Sequence, residues 1–373
     1  MRKLFISVLM AVMSFSALAH SIDDVTLIVN GMAATKEEAT NIALRSAIEQ
    51  AFGVFVSANT SIVNNELVKD EIATVASGNV KSFKEIESVV LPNNMCAITL
   101  EVVVSTQKLV AYAKSKGASC EFAGATLMAN RKLTLLNKTN TEKVYENLFQ
   151  QLEAMAPYIF DHKLILGEPF LLSNQESFIF PFTLEITSNE NTENFIDLLY
   201  STLCAVGLPE KDKEAVENIL GEKLYALKMR KEYISSENME HSTQHDIKFY
   251  LYTPFDESRL EQLLINEMYY TVLTSNLGTQ YEVQYRHGRN GRKKTGDERI
   301  RMYTFTESYG IWKEDVIFIN LPDFKKQETL PKTKRNPTPQ PHEPIVISIV
   351  EGSISVPLDE VDQITNFEIK KQQ

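Results

Sequence analysis

VTLIVNGMAATKEEATNIALRSAIEQAFGVFVSANTS, Val25 to Ser61, read together with CAITLEVVVS, Cys96 to Ser105, decides the fold. The first five residues are rich in β-branched side chains and end at Asn30-Gly31, as a short strand entering a turn would. Thr35 and Glu38 then have the spacing of a capping box, in which the threonine hydroxyl accepts from the Glu38 amide and the Glu38 carboxylate reaches back. A helix starts there. Its apolar positions Ala39, Ile42, Ala43, Ala47, Ala51 and Phe52 are expected on one face, with Lys36, Thr40, Arg45, Glu49 and Gln50 pointing away. Side chains this small let a helix lie close against a sheet, and Gly53 offers a left-handed stop.

The next residues extend the pattern. Val54 to Val56 is strand-like, and Leu67, Val68, Ile72, Val75 and Ala76 mark a second, shorter helix. Residues 80–91 and 95–105 flank Pro92-Asn93-Asn94, a turn-forming triplet, so they should form a hairpin. In its second arm Cys96, Ile98, Leu100, Val102 and Val104 share one face and Thr99, Glu101 and Ser105 the other, which predicts one buried side. The order is β-α-β-α-β-β, a small antiparallel sheet with two helices on one face, and the fold class is α+β.

Val25, Val29, Gly31, Ala33, Ala43, Ala47, Ile48, Ala51, Gly53, Ser77, Gly78, Val102, Val104 and Ser105 together form a pattern of small and apolar residues. On these positions, residues 25–105 resemble the N-terminal domain family of flagellar assembly protein T and related small envelope domains. The resemblance implies a periplasmic adaptor or assembly domain. Its motif specifies packing and carries no catalytic group.

The chain has 373 residues and opens MRKLFISVLMAVMSFSALAH. A basic start, an apolar run and Ala17-Leu18-Ala19 are the grammar of a cleaved secretory signal, with cutting expected after Ala19. No later apolar run reaches membrane-spanning length. Loss of Arg2 and Lys3 takes the formal charge from −11 to −13. That balance argues against nucleic acid as a partner, because phosphate neutralisation needs a basic surface. The three cysteines allow one disulfide in an oxidising compartment; Cys96 and Cys120 are the pair closest in sequence, and three unpaired buried thiols fit the same spacing.

The expected organisation is a signal at 1–19, an N-terminal module at 20–116, a central α+β region at 117–321, a proline-rich linker at 322–344 and a strand segment at 345–373. Gln107 to Ser115 reads as a short helix. A strand is expected over 125–136, and a helix opened by Thr139-Asn140-Thr141-Glu142 should bury Val144, Leu148, Leu152 and Met155 before Pro157 ends it. Strands are expected at 162–170 and 178–187. A helix at 191–206 buries Phe195, Leu198, Leu199, Leu203 and Val206, and another begins at Pro209 and reaches Met229. A strand at 246–253, a helix from Asp256 to Leu277 and strands at 279–286, 299–305 and 316–321 complete the region. The linker holds six of thirteen prolines. Beyond it the β-branched runs 345–350 and 354–356 are too short to fold alone: they either add to the preceding sheet, the favoured alternative, or dock on a partner's sheet edge.

Chemical signatures are few. His241 and His245 have one-helix-face spacing, but their surroundings, SSENMEHSTQHD, are polar and lack the HExxH order, so no metal is assigned. There is no G-x-S-x-G, phosphate loop, G-x-G-x-x-G after a strand, or C-x-x-C, and no cofactor is expected. The sharpest charge feature is RHGRNGRKK, in which Arg286, Arg289, Arg292, Lys293 and Lys294 interrupt an acidic chain. Guanidinium groups suit phosphate and carboxylate, so lipid head groups, anionic polysaccharides and acidic proteins are the candidate contacts. A non-enzymatic envelope protein that binds or assembles other envelope components is the first expectation; an envelope glycan hydrolase with its site in the central region is the alternative.

Overall fold

The computed structural model describes residues 24–55, 78–115, 126–172, 176–233, 245–260, 262–263, 270–284, 316–323 and 346–371. Helices and several small, mainly antiparallel sheets make it an α+β protein. The chain divides into two compact units. One draws on residues up to 88 and on 96–144 and 211–223; the other draws on 89–95, 145–210 and the chain from 224 on.

In the first unit, β1 (Asp24–Ala33) pairs antiparallel with β3 (Cys96–Ser105), and β2 (Val80–Val90) lies on the other side of β3. Helix α1 (Lys36–Phe55) packs on this sheet. The Thr35 hydroxyl accepts from Glu38 N at 3.2 Å, as the capping pattern predicts. Ala39, Ala43, Ala47 and Ala51 have no exposed surface and meet Val25, Leu27 and Val29 of β1 and Ile98, Leu100, Val102 and Val104 of β3. Gly31 makes the contact possible: a Cβ there would sit 1.9 Å from the Ala39 carbonyl oxygen.

Three expectations for α1 need correction. Alanines repeating every four residues drift by about 40° per step around the helix, so the buried stripe winds towards Ile48 and leaves Ile42 47 % exposed. Gln50 is buried, held by Asn140. The helix also continues through Gly53 to Phe55, where a strand was expected. The anticipated second helix at 67–76 lies outside the described residues.

The β2–β3 hairpin closes as expected. Leu91 N donates to Met95 O at 2.7 Å, Asn94 adopts φ +61°, and the Asn93 side chain accepts from Met95 N at 3.1 Å. Helix α2 (Thr106–Ser115) comes directly after β3 and contributes Leu109 to the core.

Helix α3 (Thr126–Met155) replaces both the strand expected at 125–136 and the separate helix after it. Asn140 and Thr141, which read as capping residues, lie in its interior with their polar atoms satisfied. The Thr141 hydroxyl donates to Asn137 O at 2.9 Å, one turn back. The Asn140 amide grips the outer edge of β1: its Oδ1 accepts from Ile28 N at 3.3 Å, and its Nδ2 donates to Ile28 O at 2.7 Å and to Gln50 Oε1 at 3.0 Å. A buried amide thus stands in for a neighbouring strand. The expected stripe Val144, Leu148, Leu152 and Met155 is buried, and Pro157 sits in the 3-10 turn Ala156–Tyr158 at the helix end.

The second unit contains β4 (Phe160–Leu166), β5 (Phe170–Leu171), β6 (Ser177–Ser188) and helix α4 (Glu190–Val206). The cap of α4 is reciprocal: Asn189 Oδ1 accepts from Asn191 N and Thr192 N, and the Thr192 hydroxyl accepts from Asn189 N. Phe195, Leu198, Leu199 and Leu203 are fully buried, as their spacing predicts. Helix α5 (Glu210–Leu220) stops at Gly221, whose φ of +72° ends it, so Leu224 and Met229 are not helical. Met229 instead lies in β7 (Tyr225–Tyr233), between β8 (His245–Leu251), antiparallel, and β11 (Val316–Asp323), parallel.

A helical turn at 257–260 comes after Asp256, whose carboxylate accepts from Arg259 N at 2.9 Å. Residues from Tyr270 to Ser275, expected to continue a helix, form β9 (Tyr270–Ser275), turning at Gly278 into β10 (Gln280–Gln284). The C-terminal runs join the chain's own sheets. β12 (Val346–Pro357) pairs antiparallel with β6; a short helix α6 (Leu358–Val361) is next, and β13 (Phe367–Lys371) pairs with β9.

Candidate interaction surface

In the sheet ordered β12-β6-β4, with β5 also on β6, the central strand has two unlike faces. Phe182, Leu184 and Ile186 point inward and are buried, beside Ile354 and Val356 of β12. Phe182 lies against Gly352, its register partner, where a Cβ would come within 2.5 Å of the ring. Alternation then sends Ile179, Pro181, Thr183 and Glu185 outward, all half-buried.

The register lines up an apolar stripe on that outward face. Phe170 is opposite Ile179, Ile165 opposite Thr183 and Ile349 opposite Glu185, with exposures of 52 %, 40 % and 36 %. Leu166, Leu171, Leu172 and Leu358 are exposed nearby; Leu172 N bonds Ser177 O and Leu358 N bonds Glu176 O, which fixes both beside the start of β6. Seven of the fifteen large apolar side chains exposed among the described residues belong to one sheet and its ends. Phe170, Ile165 and Ile349 share the outward face, whereas Leu166 and Leu171, opposite Phe182 and Phe178, turn to the other, and the outward three mark a contact surface. Lys163, opposite Glu185 at 3.9 Å, and the exposed Glu351 give it a polar border.

The most connected charged cluster is elsewhere in this unit. Arg259 reaches Glu146 at 2.9 Å and Glu153 at 2.7 Å while its guanidinium lies 4.4 Å over the Phe149 ring, which stacks on Phe255. Hydrogen bonding to Arg259, and then its charge, hold the Glu146 carboxyl below the usual glutamate range. Both acids are engaged, so the cluster pins the 257–260 turn to α3 and offers no free carboxylate. Burial pushes the Tyr145 phenol up, and burial together with Cys204 pushes Tyr200 up to about 12. Phenols raised in this way stay protonated and make poor bases.

Arg286, Arg289, Arg292, Lys293 and Lys294 lie outside the described residues, beyond the end of β10. Cys120 also lies outside them; Cys96 is buried with its sulfur 3.9 Å from Ser88 Oγ, Cys204 is half-buried and hydrogen-bonded with Tyr200, and neither is in a disulfide. His241 is not among the described residues, and His245 opens a strand, not the helix its spacing would need. No group of three or more His, Cys, Asp or Glu among the described residues is arranged to hold a metal ion, and none of their helices is long and apolar enough to cross a membrane. No protein-family model, curated protein or solved structure matches the chain.

The exposed stripe escaped the sequence reading, although a signal for it exists. Neighbouring strand residues face opposite ways, so consecutive apolar residues such as Ile165-Leu166 and Phe170-Leu171-Leu172 cannot all turn to one core.

Proposed function

We propose that this chain is a non-enzymatic, exported cell-envelope protein that binds or assembles other envelope proteins. The observation that carries the proposal is the apolar outward face of the β12-β6-β4 sheet, with Phe170, Ile165 and Ile349 exposed along it. An association surface is the ordinary use of such a patch. The signal-like N-terminus supports export, and the resemblance of residues 25–105 to envelope assembly domains supports the compartment. Arg286, Arg289, Arg292, Lys293 and Lys294 are assigned as a second, electrostatic contact. The test is photocrosslinking in intact cells from a probe at Phe170. Capture of defined envelope proteins is the expected result; recovery of uncrosslinked monomer alone refutes the binding role.

A further inference from the structure

Backbone donors and acceptors on the outermost strand of a sheet can template another strand, and folded proteins ordinarily block them. Among the described residues, seven of the eight outer strands carry such a block. The Asn140 side chain occupies β1. β2 carries Lys81, Lys84, Glu85 and Glu87; β4 carries Asp161 and Lys163; β8 carries Lys248 and is bonded at Tyr250 by the main chain of Leu208. β10 and β13 have only five residues each, and β11 runs into Pro322. β12 is the least guarded of the eight, its register irregularity lying between Val346 and Ser348 at the start of the strand. It is twelve residues long, VISIVEGSISVP, with Glu351 its one charge and its proline at the last position.

The strand and the turn after it carry charge of one sign. From 346 to 362 the chain holds Glu351, Asp359, Glu360 and Asp362 and no lysine or arginine. Glu351, Ser353 and Ser355 project outward and exposed, whereas Ile354 and Val356 are buried in the core. A strand added here would meet Ile349, Glu351, Ser353 and Ser355 on one side and Ile354 and Val356 on the other, in alternation. The β12 strand of a second copy would bring acid against acid.

We infer that the outer edge of β12 binds an extended basic segment of another protein, which adds as a further strand with Lys or Arg on the Glu351 side and apolar residues on the Ile354 side. This rests on the binding role proposed above and names the partner's chemistry.

The probe is a twelve-residue peptide alternating lysine with valine or threonine, added to the whole protein and monitored by hydrogen exchange and fluorescence anisotropy. The expected result is slowed exchange within 346–357, with affinity falling as salt rises. The double variant Ser353→Lys, Ser355→Lys, on exposed side chains, should weaken binding by about tenfold or more through like-charge opposition, and Ser353→Glu should preserve or tighten it. Protection confined to other strands, equal affinity for a glutamate-for-lysine peptide, or a peptide-free dimer joined through β12 overturns the inference. In cells, partners still captured from Phe170 in the Ser353→Lys, Ser355→Lys variant refute the edge and leave the binding role standing; no capture by the unmodified protein removes the binding role itself.

Discussion

Gly31→Ala tests the packing on which the first unit depends. The added Cβ would lie 1.9 Å from the Ala39 carbonyl oxygen, 2.9 Å from its carbon and 3.1 Å from Ala43 N, all main-chain atoms of α1 with no rotamer to move aside. Restoring a 3.0 Å separation requires the helix to retreat by about 1.1 Å at that point. A gap of about 0.5–1 Å already forfeits a quarter to a half of each dispersion contact it opens. Ala39, Ala43, Ala47 and Ile48, fully buried along the same seam, would share that loss. Overpacking ordinarily costs about 1–3 kcal/mol, and an unyielding backbone obstacle places this case at about 3 kcal/mol, roughly a hundredfold in the folding equilibrium. Urea titration monitored by far-ultraviolet circular dichroism measures it. Gly78→Ala is the control, because its Cβ would have nothing within 4 Å. A Gly31→Ala midpoint indistinguishable from the Gly78→Ala midpoint would refute the close-approach argument.

Asn140→Ala should cost about 3 kcal/mol, since it removes three hydrogen bonds and orphans both main-chain groups of Ile28; hydrogen exchange should show the Ile28 amide losing protection, and unchanged exchange there would contradict the edge-gripping role. The Glu146 carboxyl, lowered by Arg259, contributes stability that is complete above the ordinary glutamate range and is lost as pH falls through it towards the folded value. In Arg259→Gln an NMR titration should find the Glu146 midpoint back in the ordinary range. The accompanying stability loss above that range should be less than about 1 kcal/mol, because the pair is largely solvated.

Where local pattern and final environment agree, the sequence was readable. Ala39, Ala43, Ala47 and Ala51 are meaningful only if a helix lies against something flat, and the alternation from Cys96 to Val104 supplies that sheet. The strong apolar stripes of α3 and α4 also survived intact. The misreadings cluster where tertiary partners overrule local preference. Thr139 to Glu142 looks like a helix start because those side chains can cap; in the protein Thr141 bonds back along the helix and Asn140 is used by β1, so nothing is left for a cap to do. Residues from Tyr225 to Tyr233 become a strand because β8 and β11 pair on either side of them. Ala226 lies opposite Val316, 90 positions later (316 minus 226), a partner that no local window contains. Side-chain exposure on the outward face of β6 likewise depends on strands brought together from both ends of the second unit.

The pairing of β6 with β12 also sets an order of events. Val346 lies opposite Thr187, 159 positions earlier (346 minus 187), so the central strand of its sheet must wait for residues 346–357 before that side is covered. Contacts this distant in sequence form late and slow folding. Until β12 arrives, therefore, an apolar strand with one unsatisfied side is exposed to neighbouring chains. A protein truncated ahead of that strand would be arrested in the vulnerable interval, and its fate would be aggregation in place of a shortened native state.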